Sequence, residues 1–389
     1  MKVYTQGKLP IKSWATEVEE SAMEQAVNLS NLPFAFHHIA LMPDCHSGYG
    51  MPIGGVLATK DVIIPNAVGV DIGCGMIVVK TDVTKVSEDK LIKTIGRCRE
   101  RIPVGFNKHK ESQWWNTLDS VKLYDSAKAD GGLFVVNSEL DKAGYSIGTL
   151  GGGNHFIEIQ RGDDGYVYLM IHSGSRNLGK TVADHYNKLA VSLNEQWYSQ
   201  VSKEHQLAFL PAKSDEGRRY LMEMEFCLRY AQLNRYIMMK CLCDAFEECT
   251  SAHFDDPINI HHNYVALENH FGHNVYVHRK GAIKVQQGTI GIIPGSMGTP
   301  SYIVEGLGNR ESFESASHGA GRRMSRKAAN ESITESEATT AMQGIVYGRF
   351  NGKYDEAPQA YKDIIQVMAD QYDLVKPLVK LSPLAVMKG

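Results

Sequence analysis

Residues of metal-binding type sit in short glycine-rich motifs scattered over most of this chain. Asp71 and Cys74 lie in VGVDIGCG, His155 in GGGNHFIE, His172 in MIHSGSR, His262 in NIHHNY and His318 in SHGAGR. Carboxylate, thiolate and imidazole are the donors a divalent transition metal takes from protein, and glycine lets backbone approach a phosphate closely. Motifs that serve one site must be brought together from distant stretches of chain. That demand favours a single interlocked α+β domain over two separable halves.

At 389 residues the chain can bury a large core, and 43% hydrophobic with 22% charged residues is ordinary for a folded protein. A net charge of −3 gives no whole-molecule sign of a nucleic-acid partner, so any such attraction must be local. Arg97, Arg99, Arg101, Lys108 and Lys110 form a basic stretch that, taken alone, reads as solvated surface. Seven irregularly spaced cysteines read as reduced thiols in a cytoplasmic protein. Cys241, Cys243 and Cys249 fall in a helical pattern where packing explains them. MKVYTQGKLPIKSW lacks a signal-peptide core, and no apolar run approaches the ~20 residues of a membrane helix.

The pattern along the chain predicts a helix over 16–31, with Thr16 and Glu19 as a capping box. Short β-type runs follow to Val83, with MPDCHSGYG and VGVDIGCG in their connections. Helix and loop are expected over 113–145, strands at FIEI and YVYLMI, and long helices over roughly 179–206 and 216–249. β-character returns after Pro257; a helix is expected to open at Gly321–Arg322, and a last one to run from Ala360 to Val375.

Each candidate carries two readings. Asp71 and Cys74, three apart on a glycine turn, are a metal pair or a tight turn with a buried thiol. His155, His172 and His262 are singly ordinary structural histidines, but with Asp71 and Cys74 they offer donors enough for two ions of the kind that clamps phosphoryl oxygens. His318, before a glycine turn and beside Arg322 and Arg323, is a nucleophile toward a nucleotide α-phosphate, a further ligand or a helix cap. GSRNLGKT at 174–181 matches the P-loop pattern literally, yet a histidine leads into it and no later strand supplies the Mg²⁺ aspartate.

In order, MPDCHSGYGMPIGG, IIPNAVGVDIGCGM, IGTLGGGNHFIE, IHSGSR, HHNYV, RKGA, GIIPGSMG and SHGAGRRMSR resemble the RtcB-type RNA ligases, from about Pro10 to Gly389. The resemblance implies one domain over 1–389, α+β, with β-sheets at the core and helices packed outside. It implies a GTP-dependent, manganese-dependent ligase joining RNA 3′-phosphate or 2′,3′-cyclic phosphate ends to 5′-hydroxyl ends, in tRNA splicing or RNA repair. The intermediates would be a histidine–GMP and an RNA(3′)pp(5′)G end.

Carried over by position, Asp71, Cys74, His155, His172 and His262 would hold two Mn²⁺ ions and His318 would take GMP. Asn154, Glu158, Pro294, Gly295, Ser296, Met297, Gly298, Ser301, Gly319, Ala320, Gly321 and Lys388 would meet the guanine nucleotide. Arg176 would lie near the RNA end, and Lys180 would be idle; Asp44 and His46 in MPDCH are candidates for proton transfer or contact with the RNA end, or serve turn chemistry alone. Cys45 stands where many relatives carry valine and suggests redox sensitivity; His261 makes a double histidine. Expected partners are RNA, GTP and an accessory activator, without a membrane. The competing expectation is a di-metal RNA-end phosphoesterase that does not ligate.

Overall fold

A computed structural model describes residues 1–389. Two large sheets organise it. The six-stranded sheet runs, edge to edge, Lys2–Tyr4, Ile11–Ser13, Ala35–His46, Ile53–Thr59, His273–Lys280, Asn263–His270. The seven-stranded sheet runs Ile258–His261, Gly75–Lys80, Val167–Ser173, Phe156–Gly162, Val375–Lys388, Ser301–Gly306, Ile290–Ile293. Neighbours pair antiparallel throughout, except the parallel pair Ile11–Ser13 with Ala35–His46. Central strands buried on both faces, such as VYLMIHS, explain the unbroken apolar runs in the sequence. Helices pack on the outside, so the fold is α+β with sheets at its core.

The 36-residue helix Asp215–Thr250 crosses the sheet behind Gly75–Lys80 and Val167–Ser173 and also packs on helix Glu88–Arg101. Its start is fixed by the Ser214 hydroxyl, which accepts from the Gly217 N–H. Cys241 and Cys243 pack against the core beneath it, and Cys249 Sγ accepts from Arg97, as a packing role for these cysteines requires. No helix is long and apolar enough to cross a membrane.

Several boundaries differ from expectation. The first helix spans Glu20–Ser30 without a side-chain cap, because the Thr16 hydroxyl is taken by Asp370 at 2.7 Å. MPDCH is the end of strand Ala35–His46 rather than a connection. The helix from Arg176 stops at Gln196, ten residues early. No helix opens at Gly321; the next is Arg326–Ser332, capped by Ser325. The largest difference is at the end, where helix Ile364–Asp370 gives way to the 14-residue strand Val375–Lys388. Its Pro377 and Pro383 sit next to register shifts, the irregular positions where a sheet tolerates a residue that cannot donate.

Candidate active site

Five side chains meet where the strands of the seven-stranded sheet end. His172 is the penultimate residue of its strand, opposite Met76, Cys74 lies on the turn into Gly75–Lys80, His155 precedes Phe156, and His262 links two strands. Cys74 Sγ is 3.2 Å from His172 Nε2 and 3.5 Å from His155 Nε2. His172 Nε2 and His262 Nε2 are 3.4 Å apart, and Asp71 Oδ2 is 3.1 Å from His155 Nε2. The donors form two triads, Cys74–His172–His262 and Asp71–Cys74–His155, which share the sulfur. Gly174 is required here, since a Cβ on it would stand 2.2 Å from Asp71 Oδ1.

The donor set fits a cation. His155 donates its Nδ1–H to Leu150 O at 2.9 Å and His172 to Asn154 O at 3.2 Å, so each ring aims its Nε2 into the cluster. Burial holds His172 and His262 well below the usual histidine range, which keeps them in the neutral, ligating form. Burial, with Asp71 alongside, pushes the Cys74 thiol well up. Lone pairs converging this closely repel unless a positive charge lies between them, and that charge would also favour the thiolate.

The loops bearing these residues are tied to the middle of the long helix by a pair the sequence reading passed over. Arg235, fully buried, donates to Gly73 O at 2.8 Å, Ser173 O at 2.9 Å and Asn259 Oδ1 at 2.8 Å. Asn234 accepts from Gly148 N at 2.7 Å and donates to Gly174 O at 3.1 Å. The available signal was two strongly polar residues amid the apolar spacing of Tyr230, Ala231, Met238 and Met239.

His318 stands beside the cluster, its ring centroid 4.8 Å from that of His262. Its Nδ1 lies 2.6 Å from Asp44 Oδ2, and the same oxygen accepts its backbone N–H at 3.2 Å. Asp44 is fully buried and reaches the site from the strand through MPDCH. A carboxylate so placed keeps the proton on Nδ1 and leaves Nε2 as the free lone pair. Gly281 permits the ring's position, since a Cβ there would come within 3.0 Å of it. His46 turns its Nδ1 to the Asp44 carbonyl at 2.9 Å and shares the cavity wall with His318.

A cavity of about 320 Å³ opens over His318. Asn154, Pro294, Gly295, Ser296, Met297, Gly319, Ala320, Gly321 and Lys388 line it, together with His172 of the cluster. Glu158 and Ser301 lie behind the wall, joined through Gln160, which donates to Glu158 at 2.5 Å and to Ser301 at 3.1 Å. Burial raises the Glu158 carboxyl to about 8 despite the opposing charge of Lys388. Gly298 is also off the wall, packed on Ala341 and Pro358. Phe156, Arg326, Glu356 and Tyr361 line it unforeseen. Glu356 gathers Lys388 at 3.0 Å, the Tyr361 hydroxyl at 2.5 Å and Arg322 at 3.3 Å. Cations therefore crowd a pocket large enough for a nucleotide, held by acidic partners rather than by the helix N-terminus expected at Gly321.

A family model described as tRNA-splicing ligase RtcB matches residues 25–389. The chain belongs to the RtcB family. It is 38% identical to an RNA-splicing ligase RtcB of Escherichia coli K12, covering 100% of this chain and 99% of that one. It is 30% identical to a tRNA-splicing ligase RtcB of Thermococcus kodakarensis, over 95% of this chain and 92% of the relative. An RNA-splicing ligase RtcB of Mycobacterium tuberculosis is 31% identical over 94% of this chain and 100% of its own.

Other residues of this RtcB-family chain fall outside the cluster. His261 sits against Gly73 O at 3.0 Å and the Arg235 guanidinium, with no donor among the triads. Arg176 adopts a left-handed backbone, φ 57°, and spends its guanidinium on Thr149 Oγ1 at 3.1 Å and Gly105 O at 3.0 Å. Lys180 pairs with Asp184 one turn on, both well exposed, away from the nucleotide-sized cavity. Cys45 is fully buried and burial raises its thiol to about 12, so the suggested redox sensitivity has no physical basis.

Proposed function

We propose that this chain is a GTP- and manganese-dependent RNA ligase that joins 3′-phosphate or 2′,3′-cyclic phosphate ends to 5′-hydroxyl ends. The observation carrying this reading is His318, a histidine beside the triads but outside them, with Nδ1 bound to a buried carboxylate. Metal ligands are often oriented by a carboxylate in this way too, but His318 belongs to neither triad, and an oriented ring with its Nε2 left free is what a nucleophile needs. Asp71, Cys74, His155, His172 and His262 would hold two Mn²⁺ ions, which, when bound, polarise phosphoryl oxygens and offset their charge.

In this reading the cavity takes GTP, with Lys388, Arg322 and Arg326 facing its anionic oxygens. His318 Nε2 attacks the α-phosphate, the Nε2–P bond forms and pyrophosphate leaves. Asp44 keeps the Nδ1 proton in place while the ring becomes cationic. A 2′,3′-cyclic phosphate end is first opened by water, the P–O2′ bond breaking to leave a 2′-hydroxyl and a 3′-phosphate; a terminal 3′-phosphate oxygen then takes the guanylyl group from Nε2, giving RNA(3′)pp(5′)G and returning the free ring. The 5′-hydroxyl of a second RNA attacks the phosphorus bonded to the 3′-oxygen, closes the phosphodiester and expels GMP; its proton passes to solvent. The chain works as one unit over 1–389, on tRNA halves or broken RNA in the cytoplasm, with an accessory activator as a further partner.

Labelled GTP tests the reading. Wild type with Mn²⁺ should form an acid-labile protein–GMP adduct that maps to His318, and His318→Ala should form none while keeping its metal. An enzyme that consumes RNA ends without ever carrying GMP is the di-metal phosphoesterase instead.

A further inference from the structure

Phe106 is wholly exposed, on the loop that follows helix Glu88–Arg101. Single exposed apolar residues are common on protein surfaces and mean little alone. Two observations set this one apart. The first is that its backbone is firmly held. Gly105 N–H donates to Gly151 O at 2.8 Å, Arg176 donates to Gly105 O at 3.0 Å, and Asn107 N–H donates to Val104 O at 3.1 Å. Further along, His109 N–H donates to Tyr145 O at 3.0 Å. Little backbone entropy remains to be lost when a ligand meets the ring.

The second is where the loop lies. Val104 bridges Gly151, and a Cβ on Gly152 would stand 3.6 Å from the Gly105 Cα. Gly151 and Gly152 belong to the GGGNH segment that carries Asn154 and His155 into the site. Phe106 is thus one residue beyond the backbone that packs on this segment. The Arg176 guanidinium that secures the loop belongs to the segment following His172. The triad containing His155 also holds Asp71, whose side chain is 33% exposed while His155 is 7% exposed, so this side of the cluster opens to solvent. The nucleotide-sized cavity is lined by His172 and His318, at the other triad. Just past Phe106 come the exposed side chains of Asn107, Lys108 and Lys110.

We propose that Phe106 is a stacking platform for a base of single-stranded RNA next to the reacting end, with Lys108 and Lys110 following the phosphates. The inference rests on the ligase reading above, in which RNA must approach the cluster while guanylylated His318 occupies the cavity. A rigid exposed aromatic beside cations is the surface single-stranded nucleic acid takes without regard to sequence. The base lies flat on the ring and its phosphate faces the lysines. No bond is made or broken there; the loop orients the strand.

The test uses the whole chain, Mn²⁺, GTP and two short RNAs, one ending in a 3′-phosphate and one starting with a 5′-hydroxyl. Each carries 2-aminopurine at its terminal nucleotide in turn. Phe106→Ala should raise the KM for RNA about ten-fold, the effect of one stacked base, while guanylylation of His318 by GTP proceeds at the wild-type rate. Phe106→Trp should restore the KM. Quenching of 2-aminopurine on binding should vanish in Phe106→Ala, and the strand that shows it names the end that rests on the ring. Lys108→Ala with Lys110→Ala should flatten the dependence of log affinity on log salt by about 0.7 per lysine. An unchanged KM in Phe106→Ala, no quenching on either strand, or a parallel fall in guanylylation would overturn the proposal. If wild type takes no GMP from GTP, the ligase reading fails, and the quenching comparison still decides whether Phe106 meets RNA.

Discussion

Replacing Asp44 by asparagine and by alanine separates charge from geometry at His318. Both His318 bonds end on one oxygen, Oδ2, at 2.6 and 3.2 Å, while Oδ1 is buried without a partner. In Asp44→Asn, an amide with its carbonyl at the Oδ2 position keeps both bonds. The reversed amide would set its NH₂ against the backbone N–H of His318, donor to donor. The first orientation therefore prevails and the ring keeps its tautomer. Only the charge is lost. A hydrogen bond to a charged group contributes about 1.5–3 kcal/mol against about 1 kcal/mol for a neutral one. The ring, cationic as it takes up the guanylyl group, should lose about 1–2 kcal/mol of stabilisation, or roughly 5–30-fold in rate. Asp44→Ala removes the acceptor itself, frees the tautomer and lets the ring turn; losing the orienting aspartate of a serine-protease triad costs about 10⁴. The assay is single-turnover formation of the protein–GMP adduct from labelled GTP, with a melting curve to confirm folding. Equal rates for the two variants, or an alanine variant within a few-fold of wild type, would refute the positioning role of Asp44.

Cys74→Ser should lose at least half of the bound manganese, measured by mass spectrometry after loading, because both triads share that sulfur; Cys243→Ser, on the long helix and packed against the core, should lose none. Equal metal in both would remove Cys74 from the site. Lys180→Ala should keep guanylylation within a few-fold of wild type, since its exposed pair with Asp184 contributes about 0.5 kcal/mol or less. A collapse of guanylylation in the folded variant would revive the P-loop. Glu268→Gln should destabilise the fold by about 3–5 kcal/mol at neutral pH by stranding the buried Arg279, which binds both carboxylate oxygens at 2.6 and 3.0 Å. Burial alone would raise the Glu268 carboxyl, but Arg279 and His270 outweigh it and hold it well below the usual range. The folded pKa thus lies below the unfolded value of about 4.3, so the pair's contribution is complete above that pH and fades as pH falls further. Wild-type and variant melting temperatures should converge in acid; a gap independent of pH would contradict this.

The donors of the cluster were legible because each sits in a local signal, a glycine turn or a strand end, that aims one side chain. The cavity wall was less so. Phe156, Glu356 and Tyr361 owe their positions to pairings across the sheet and to a hub around one carboxylate, neither of which leaves a periodic trace. The helix placed at Gly321 failed for a related reason. Arg322 bridges Tyr361 in extended pairing, and tertiary contact overrode what the glycine and arginines suggested. Strand Val375–Lys388 was hidden by Pro377 and Pro383, which look like breakers until the register shifts beside them are seen. Asn234 and Arg235 carry a readable signal, polarity on a buried helix face.

That strand has a bearing on how the protein is made. Val375–Lys388 is threaded between Phe156–Gly162 and Ser301–Gly306, segments that leave the ribosome well before it. Until it arrives, the larger sheet is two part-sheets with facing unpaired edges, and the cavity lacks Lys388. A nascent chain released early would carry the full set of cluster donors and still have neither a closed sheet nor a finished nucleotide wall. Non-local pairing of this kind is slow to form, and open edges invite other chains. Competence thus waits on the synthesis of this one strand, and the protein most exposed to aggregation is the one that does not yet have it.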